Sequence, residues 1–181
     1  MFNSKEIIMI NKTLTRAALV AVFGATLLPM MSGAAVYGNG SKTQNFDVTL
    51  KIIADCIISA NPLDFGQSQG VLNANVSVNS TVSVTCTNTT PYNIGLNAGN
   101  VAGSTTAARL MVGTGANTST VGFNLYQTAG ATNWGNAQGT DTKSGTGTGA
   151  AQIHTVYGVV PAQTTPQPDT YKSTVTATVY F

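Results

Sequence analysis

The sequence predicts an all-β protein, a sandwich of two antiparallel sheets, from three observations. Apolar and polar residues alternate with a period of two in about seven short runs, as they do in half-buried strands. Clusters of Gly, Asn, Ser, Thr and Pro separate these runs and supply turn chemistry. After the first 34 or so residues, no stretch of ten or more residues has the apolar spacing of an amphipathic helix. Short strands separated by such turns are typical of β-sandwiches.

The alternating runs can be followed in order along the chain. In the first run, Phe46, Val48, Leu50 and Ile52 share one face. Further runs cover residues 82–86, 92–96, 109–112, 121–125, 152–160 and 171–181. Ile153, Thr155, Tyr157 and Val159 share one face of the 152–160 run. The last run is the longest, and it places Val175, Ala177, Val179 and Phe181 on one face.

The N-terminus has the three parts of a secretory signal peptide. Lys12 and Arg16 form the charged region, residues 17–31 the apolar region, and residues 32–35 a small-residue cleavage site. We expect residues 1–34 to be removed, with cleavage after Ala35 as the alternative, and Met9 begins a more ordinary leader than Met1. A retained membrane anchor is disfavoured, because a spanning helix needs about 20 apolar residues.

Charge argues against a nucleic-acid partner. Without residues 1–34 the chain carries five basic and five acidic residues, so its net charge is zero and the sequence pI of 8.6 reflects the leader. A protein that binds nucleic acid needs a basic surface to neutralise phosphates.

The expected export also bears on whether the two cysteines, Cys56 and Cys86, form a disulfide. An even number of cysteines in an exported chain favours a disulfide, and two buried free thiols are the alternative. Closing this loop stabilises the fold by about 3–4 kcal/mol in the chain-entropy model.

No catalytic, metal or cofactor site is predicted. His154 is the only histidine, no CxxC spacing occurs, and the part after the leader has five Asp and no Glu. The glycine-rich stretch 145–149 lacks the lysine of a phosphate-binding loop, so we interpret it as a flexible hairpin segment. Trp134 is interpreted as an anchor of the core or of a sheet edge.

Segments spread in order along the chain resemble the spore coat protein U domain family, which includes the major subunits of archaic (Csu-type) chaperone–usher pili. They are 56–66 (CIISANPLDFG), 82–87 (VSVTCT), 91–97 (PYNIGLN), 109–111 (RLM), 123–126 (FNLY), 133–135 (NWG), 155–158 (TVYG), 160–163 (VPAQ) and 171–181 (YKSTVTATVYF). Each motif is weak alone, but the ordered set spans essentially the whole chain after the leader.

The resemblance implies an immunoglobulin-like β-sandwich that lacks its last strand and is completed by donor-strand exchange. In such pilins, a periplasmic chaperone first fills the open groove, and the N-terminal extension of the next subunit then replaces it. The implied partners are other copies of the chain, the chaperone, an outer-membrane usher, and tip or minor pilins. The implied route runs through the periplasm to a pilus on the cell surface.

On this resemblance, residues 35–53 form the donor extension and residues 54–181 the pilin domain. The expected donor anchors are Phe46, Val48, Leu50 and Ile52. The expected acceptor groove and chaperone contact comprise Val175, Ala177, Val179 and Phe181. The alternative is that 46–53 is simply the first strand of its own domain.

The expected function is therefore structural: a polymerising pilin that serves adhesion and biofilm formation. A spore-coat-type structural protein and a secreted single-domain adhesin are the alternatives, and an enzyme is not expected.

Overall fold

The computed structural model describes residues 38–67 and 70–181. The expected signal peptide, residues 1–34, lies outside these ranges. The chain divides into two units, residues 1–47 and 48–181. In the first unit, the described residues 38–47 are exposed and contain no helix or strand. Every strand within the described residues belongs to the second unit.

Nine strands form the second unit, and the described ranges contain no helix, hence none that could span a membrane. The strands are β1 (Cys56–Ala60), β2 (Val76–Cys86), β3 (Pro91–Leu96), β4 (Arg109–Gly113), β5 (Thr120–Tyr126), β6 (Lys143–Thr146), β7 (Ala151–Val160), β8 (Tyr171–Lys172) and β9 (Ala177–Tyr180).

These strands form two antiparallel sheets. The larger has six strands in the order β1-β2-β7-β5-β4-β8, and the smaller has three in the order β6-β3-β9. Apolar residues of both sheets meet in one buried core, as the two inner faces of a sandwich do. The core contains Val82, Val84 and Cys86 from β2, Tyr92, Ile94 and Leu96 from β3, and Val121, Phe123 and Leu125 from β5, with Leu72, Trp134, Val156 and Val160. The predicted all-β fold class is confirmed.

Strand β7 shows which side of an alternating run is buried. Val156 and Val160 face the core, whereas Ile153, Tyr157 and Val159 lie on the outer face of the six-stranded sheet, with Ile153 72% exposed. Both faces of this run carry apolar residues, so its periodicity alone does not distinguish inside from outside.

The 145–149 stretch differs from the interpretation as a flexible hairpin, because Gly145 lies within β6. It pairs with Tyr92 of β3. A side chain at position 145 would overlap the Tyr92 ring, so only glycine lets the ring pack against this strand. Gly145 and Gly147 therefore serve close packing, whereas Gly149 has a positive φ and open space around it.

The C-terminal run 171–181 is also interrupted. It forms β8 in the six-stranded sheet and β9 in the smaller sheet. Between them, the N–H groups of Thr174 and Thr176 donate to the side-chain oxygens of Asn100 (2.8 Å) and Asn97 (2.9 Å). These bonds satisfy backbone donors without a neighbouring strand, and the chain crosses from one sheet to the other there.

Candidate functional site

Strand β1 is an edge of the six-stranded sheet, and its flanking hydrogen bonds show which backbone groups point away from β2. The Asp55 carbonyl accepts from Thr87 N–H (3.0 Å) and Asn61 N–H donates to the Thr81 carbonyl (2.9 Å). Since antiparallel ladders alternate between bonded and non-bonded pairs, the even-numbered residues of β1 direct their backbone groups to the open side. They are Cys56, Ile58 and Ala60.

Strand β9 is an edge of the smaller sheet, and the same reasoning applies to it. Asn97 N–H donates to the Thr176 carbonyl (3.1 Å), which places position 176 in a bonded pair with β3. Positions 178 and 180 follow the same alternation. Ala177 and Val179 therefore direct their backbone groups away from β3.

The unpaired sides of β1 and β9, hereafter the open edges, have a common property. Ile58, Ala177 and Val179 present outward backbone groups, and their side chains are half-buried against the core. Cα atoms of β1 and β9 approach within 8 Å, but no ladder joins the two strands in the described part of the chain. The open edges can therefore accept one further strand, whose backbone would bond to the edges and whose alternate side chains would cover the core.

Two of the four predicted groove residues, Ala177 and Val179, lie on the open edge of β9, and Val175 precedes this strand. Val175, Ala177 and Val179 pack, partly buried, against the core, whereas Phe181 at the chain end is 59% exposed. Sequence reasoning missed the β1 side of the site, because residues 56–60 do not alternate regularly.

The predicted donor anchors lie outside every strand of the described chain. In the second unit, Val48, Leu50 and Ile52 are between 75% and 86% exposed, and Ile53 is also exposed. In the first unit, Phe46 is exposed too. A succession of exposed large apolar side chains is unusual for a soluble surface and marks an interaction segment.

The expected disulfide is present and joins Cys56 to Cys86. These residues are directly opposite each other in the β1–β2 ladder, and Cys86 is buried in the core. The disulfide therefore fastens the edge strand β1 to the central part of its sheet.

Arg109 is a buried residue that sequence reasoning did not single out as functional. Its guanidinium donates to the carbonyls of Leu96 (2.8 Å), Asn97 (2.9 Å), Thr106 (2.8 Å) and Trp134 (2.6 Å). Burial lowers the pKa of Arg109 to about 10, against an opposing effect of the Asp141 carboxylate.

These bonds connect β4 to the end of β3, the strand that supports β9. Trp134 reinforces the connection, because its indole N–H donates to the Ile94 carbonyl (2.8 Å) and its side chain is completely buried. Trp134 is thus a core anchor, one of the two roles expected for it. Among the predicted motifs, only the fragments 109–111 and 133–135 pointed to this pair.

His154 links the two sheets. Its Nε2 lies 2.9 Å from the hydroxyl of Tyr92, and the two rings meet edge to face. Burial lowers the pKa of His154, and the positive charge of Lys143 lowers it further; burial raises the pKa of Tyr92. In the described residues, no group of three His, Cys, Asp or Glu side chains could hold a metal ion.

Comparison with known proteins places this architecture in a family. The sequence profile described as Spore Coat Protein U domain matches residues 42–178, which is most of the chain. The chain belongs to the Spore Coat Protein U domain family. The match includes β1, the first two residues of β9 and the exposed residues 42–55 before β1, and it confirms the resemblance seen in the sequence. Among curated protein sequences, none matches the chain significantly.

Two solved structures are similar to the chain. One similar chain occurs in the crystal structure of the CsuC-CsuE chaperone-tip adhesion subunit pre-assembly complex from archaic chaperone-usher Csu pili of Acinetobacter baumannii. Its TM-score is 0.52 and its identity 24% over 72% of the present chain, which spans only 40% of that chain's length.

A second similar structure is the E. coli Hda pilus minor tip subunit, HdaB. It has a TM-score of 0.37 and 17% identity, covering 68% of this chain and 78% of that one. The first structure supports the immunoglobulin-like sandwich for this Spore Coat Protein U domain protein.

Proposed function

We propose that this protein is a structural pilin subunit that polymerises by donor-strand complementation into an archaic chaperone–usher pilus. One observation carries the proposal. At the open edges, Ile58 on β1 and Ala177 and Val179 on β9 combine outward backbone groups with half-buried core side chains. An added strand satisfies the backbone and the core at once, which distinguishes this place from an ordinary sheet edge.

The donor in this proposal is the segment before β1 of another copy. Phe46, Val48, Leu50 and Ile52 have the period-two spacing of a strand with one apolar face, and they are exposed. Burying four such side chains contributes about 6–12 kcal/mol, from which the cost of ordering the segment is subtracted. The boundaries proposed are residues 35–53 for the extension and 54–181 for the domain that accepts it.

The remaining parts of the proposal follow from this assembly mode. Open edges make a chain prone to aggregation at high concentration, so a periplasmic chaperone occupies them before assembly, and an outer-membrane usher exchanges it for the donor segment. The similar structure from Acinetobacter baumannii is itself a chaperone-tip adhesion subunit pre-assembly complex, which supports this partner. We place the signal peptide at residues 1–34 and the finished filament on the cell surface, where it serves adhesion and biofilm formation.

Deleting residues 35–52 from the mature chain tests the proposal. The truncated subunit should bind the chaperone at normal yield and accept a donor segment, but it should end filaments, because it has no strand to donate. Leu50→Asp should act in the same way, since an unpaired buried carboxylate costs several kcal/mol. Chaperone-complex yield and filament length by electron microscopy measure the two properties.

Lys51→Asp is the matched control, because position 51 lies on the other face of the segment and should tolerate the charge. If the truncated chain no longer folds even on the chaperone, residues 46–53 belong to their own domain and the donor assignment is wrong. Equal filament lengths for Leu50→Asp and Lys51→Asp would also contradict the assignment.

A further inference from the structure

A groove on the outer face of the six-stranded sheet is separate from the open edges. It lies over β2, β7 and β5, and Ala129 and Gly130 of the loop after β5 form one wall. Its volume is about 570 Å³, which falls within the usual range of small-molecule sites.

The strand registers place an amide and two aromatic rings side by side in this groove. Asn79 of β2 is directly opposite Tyr157 of β7, and Tyr157 is directly opposite Tyr126 of β5. Directly opposed residues of antiparallel strands have adjacent side chains. Asn79 is exposed and both tyrosines are half-buried, so the row is accessible from solvent.

The groove is held in shape by hydrogen bonds that do not involve a ligand. In the amide orientation that satisfies both of its polar atoms, Asn124 accepts from the Tyr126 hydroxyl (3.2 Å) and donates to the Ala107 carbonyl (2.8 Å). The loop that forms the wall is closed by Gln127 N–H, which donates to the Thr132 carbonyl (2.8 Å). A site shaped in advance loses less free energy when it orders around a ligand.

The opposite rim carries a second amide. The Asn75 side-chain oxygen accepts from Ala162 N–H (3.0 Å), which fixes this side chain and leaves its NH₂ group for other partners. Ser77, on the same strand face as Asn79, adds a hydroxyl to the lining.

The chemistry of the lining selects the class of ligand. No charged side chain is among the described residues that line the groove, so an ionic ligand finds no partner. An extended peptide is disfavoured over the middle of the groove, because the central strand β7 is paired there with both β2 and β5 and offers no free backbone. Aromatic faces attract C–H groups, whereas amides and hydroxyls pair with hydroxyl groups.

We propose that this groove binds a short neutral saccharide, which would stack on Tyr157 and Tyr126 and hydrogen-bond to Asn79. The central position of the groove in the sheet keeps it clear of β1 and β9. Saccharide binding and strand addition at the open edges are therefore independent, and one can fail without the other.

The test uses the whole mature chain, residues 35–181, with maltose, lactose, cellobiose and N,N′-diacetylchitobiose as probes. Saturation-transfer NMR and calorimetric titration should detect binding of at least one of them. Asn79→Ala should weaken that binding about fivefold, the loss of one hydrogen bond. Tyr157→Ala should weaken it by about tenfold or more, through loss of a stacking surface.

Asn88→Ala is the matched control, because Asn88 is an exposed asparagine in the turn after β2 and does not line the groove. It should leave the affinity unchanged. Tyr157→Phe keeps the ring and should retain most of the affinity, which separates loss of stacking from loss of folding.

No binding of any of the four disaccharides at concentrations up to roughly 10 mM overturns the proposal. Equal affinities for Asn79→Ala and Asn88→Ala overturn it as well. Filament length in Asn79→Ala should match that of the unaltered chain, which shows that the groove is independent of assembly.

Discussion

At the scale of single residues, Arg109 shows how a charged side chain can hold a sandwich together. Its five N–H donors form a planar fork that suits several carbonyls at once, and four carbonyls from three parts of the chain accept from it. An arginine in an alternating strand is ordinarily assigned to the surface. The sequence therefore could not reveal its role, because that role depends on carbonyls from distant segments.

His154 is the residue whose titration should affect stability. Its ordinary pKa is 6.5, and burial beside Lys143 lowers that pKa in the folded chain. As the pH falls, the unfolded chain takes up the proton before the folded chain does. The contribution of His154 is thus complete above pH 6.5 and is lost as the pH falls from there through the lowered pKa.

This contribution can be measured by thermal unfolding of the mature chain at about pH 7.5 and about pH 5. His154→Gln does not titrate but can still bond to the Tyr92 hydroxyl, so its unfolding midpoint should fall less over this interval than that of the unaltered chain. The aspartates affect both proteins alike, and the comparison isolates the histidine. Parallel decreases in the two midpoints would show that His154 does not contribute.

At the scale of elements, period-two alternation identified the strands that have one face in the core. The runs at 82–86 and 121–125 became parts of β2 and β5 because their apolar residues point to a single interior. The alternation did not predict a strand that is held by backbone pairing with its neighbours and has no apolar face of its own. Strand β6 contributes Lys143, Ser144, Gly145 and Thr146, and pairing with β3 is what makes it a strand.

The C-terminal run shows a second limit of the alternation, because a continuous apolar–polar pattern does not always form one continuous strand. The break between β8 and β9 is fixed by Asn97 and Asn100, which lie over 70 residues earlier in the chain. Local periodicity contains no information about such partners. The apolar face of β9 was nevertheless predictable, because Ala177 and Val179 keep their alternation after the break.

A charge on the open side of β9 should prevent chaperone binding. Val179 packs against the core and its backbone groups point to the open edge, so Val179→Asp places a carboxylate among the core side chains that the added strand must cover. We expect no recoverable chaperone complex from periplasmic extracts. Thr178→Asp changes the adjacent residue, whose side chain points to the other face and whose backbone bonds to β3, and it should retain the complex.

Both variants carry the same new charge on the same strand, so a general effect on export would reduce them equally. Normal yield of the Val179→Asp complex would mean that β9 is not the chaperone contact.

At the scale of the whole molecule, each of the two sheets has an edge strand, β1 in one and β9 in the other, with an unpaired side. The sequence predicted a sandwich, and the family resemblance implied that a strand was missing. The geometry adds that the two edges belong to different sheets and that their Cα atoms lie within 8 Å in places. A strand bonded to both neighbours needs about 9–10 Å between them, so insertion requires β1 and β9 to separate slightly.

Grafting residues 35–52 onto the C-terminus through a flexible linker tests this whole-molecule view. The chain can turn back after Phe181 and run antiparallel to β9, in the manner of a hairpin. Its four apolar anchors then cover the half-buried residues of the open edges from within one molecule. The product should be a soluble monomer, and its thermal midpoint should rise by about 10 °C or more, because several kcal/mol of burial shift the midpoint of a domain this size by that amount.

The control graft carries Leu50→Asp in the added copy only. It has the same length, linker and native N-terminus, but it places a carboxylate among apolar side chains, so its midpoint should return close to that of the unaltered chain. The two grafts differ in a single side chain, so the difference between their midpoints measures insertion into the open edges. If both grafts melt together at the midpoint of the unaltered chain, residues 46–52 do not complete the fold, and the donor segment must be sought elsewhere.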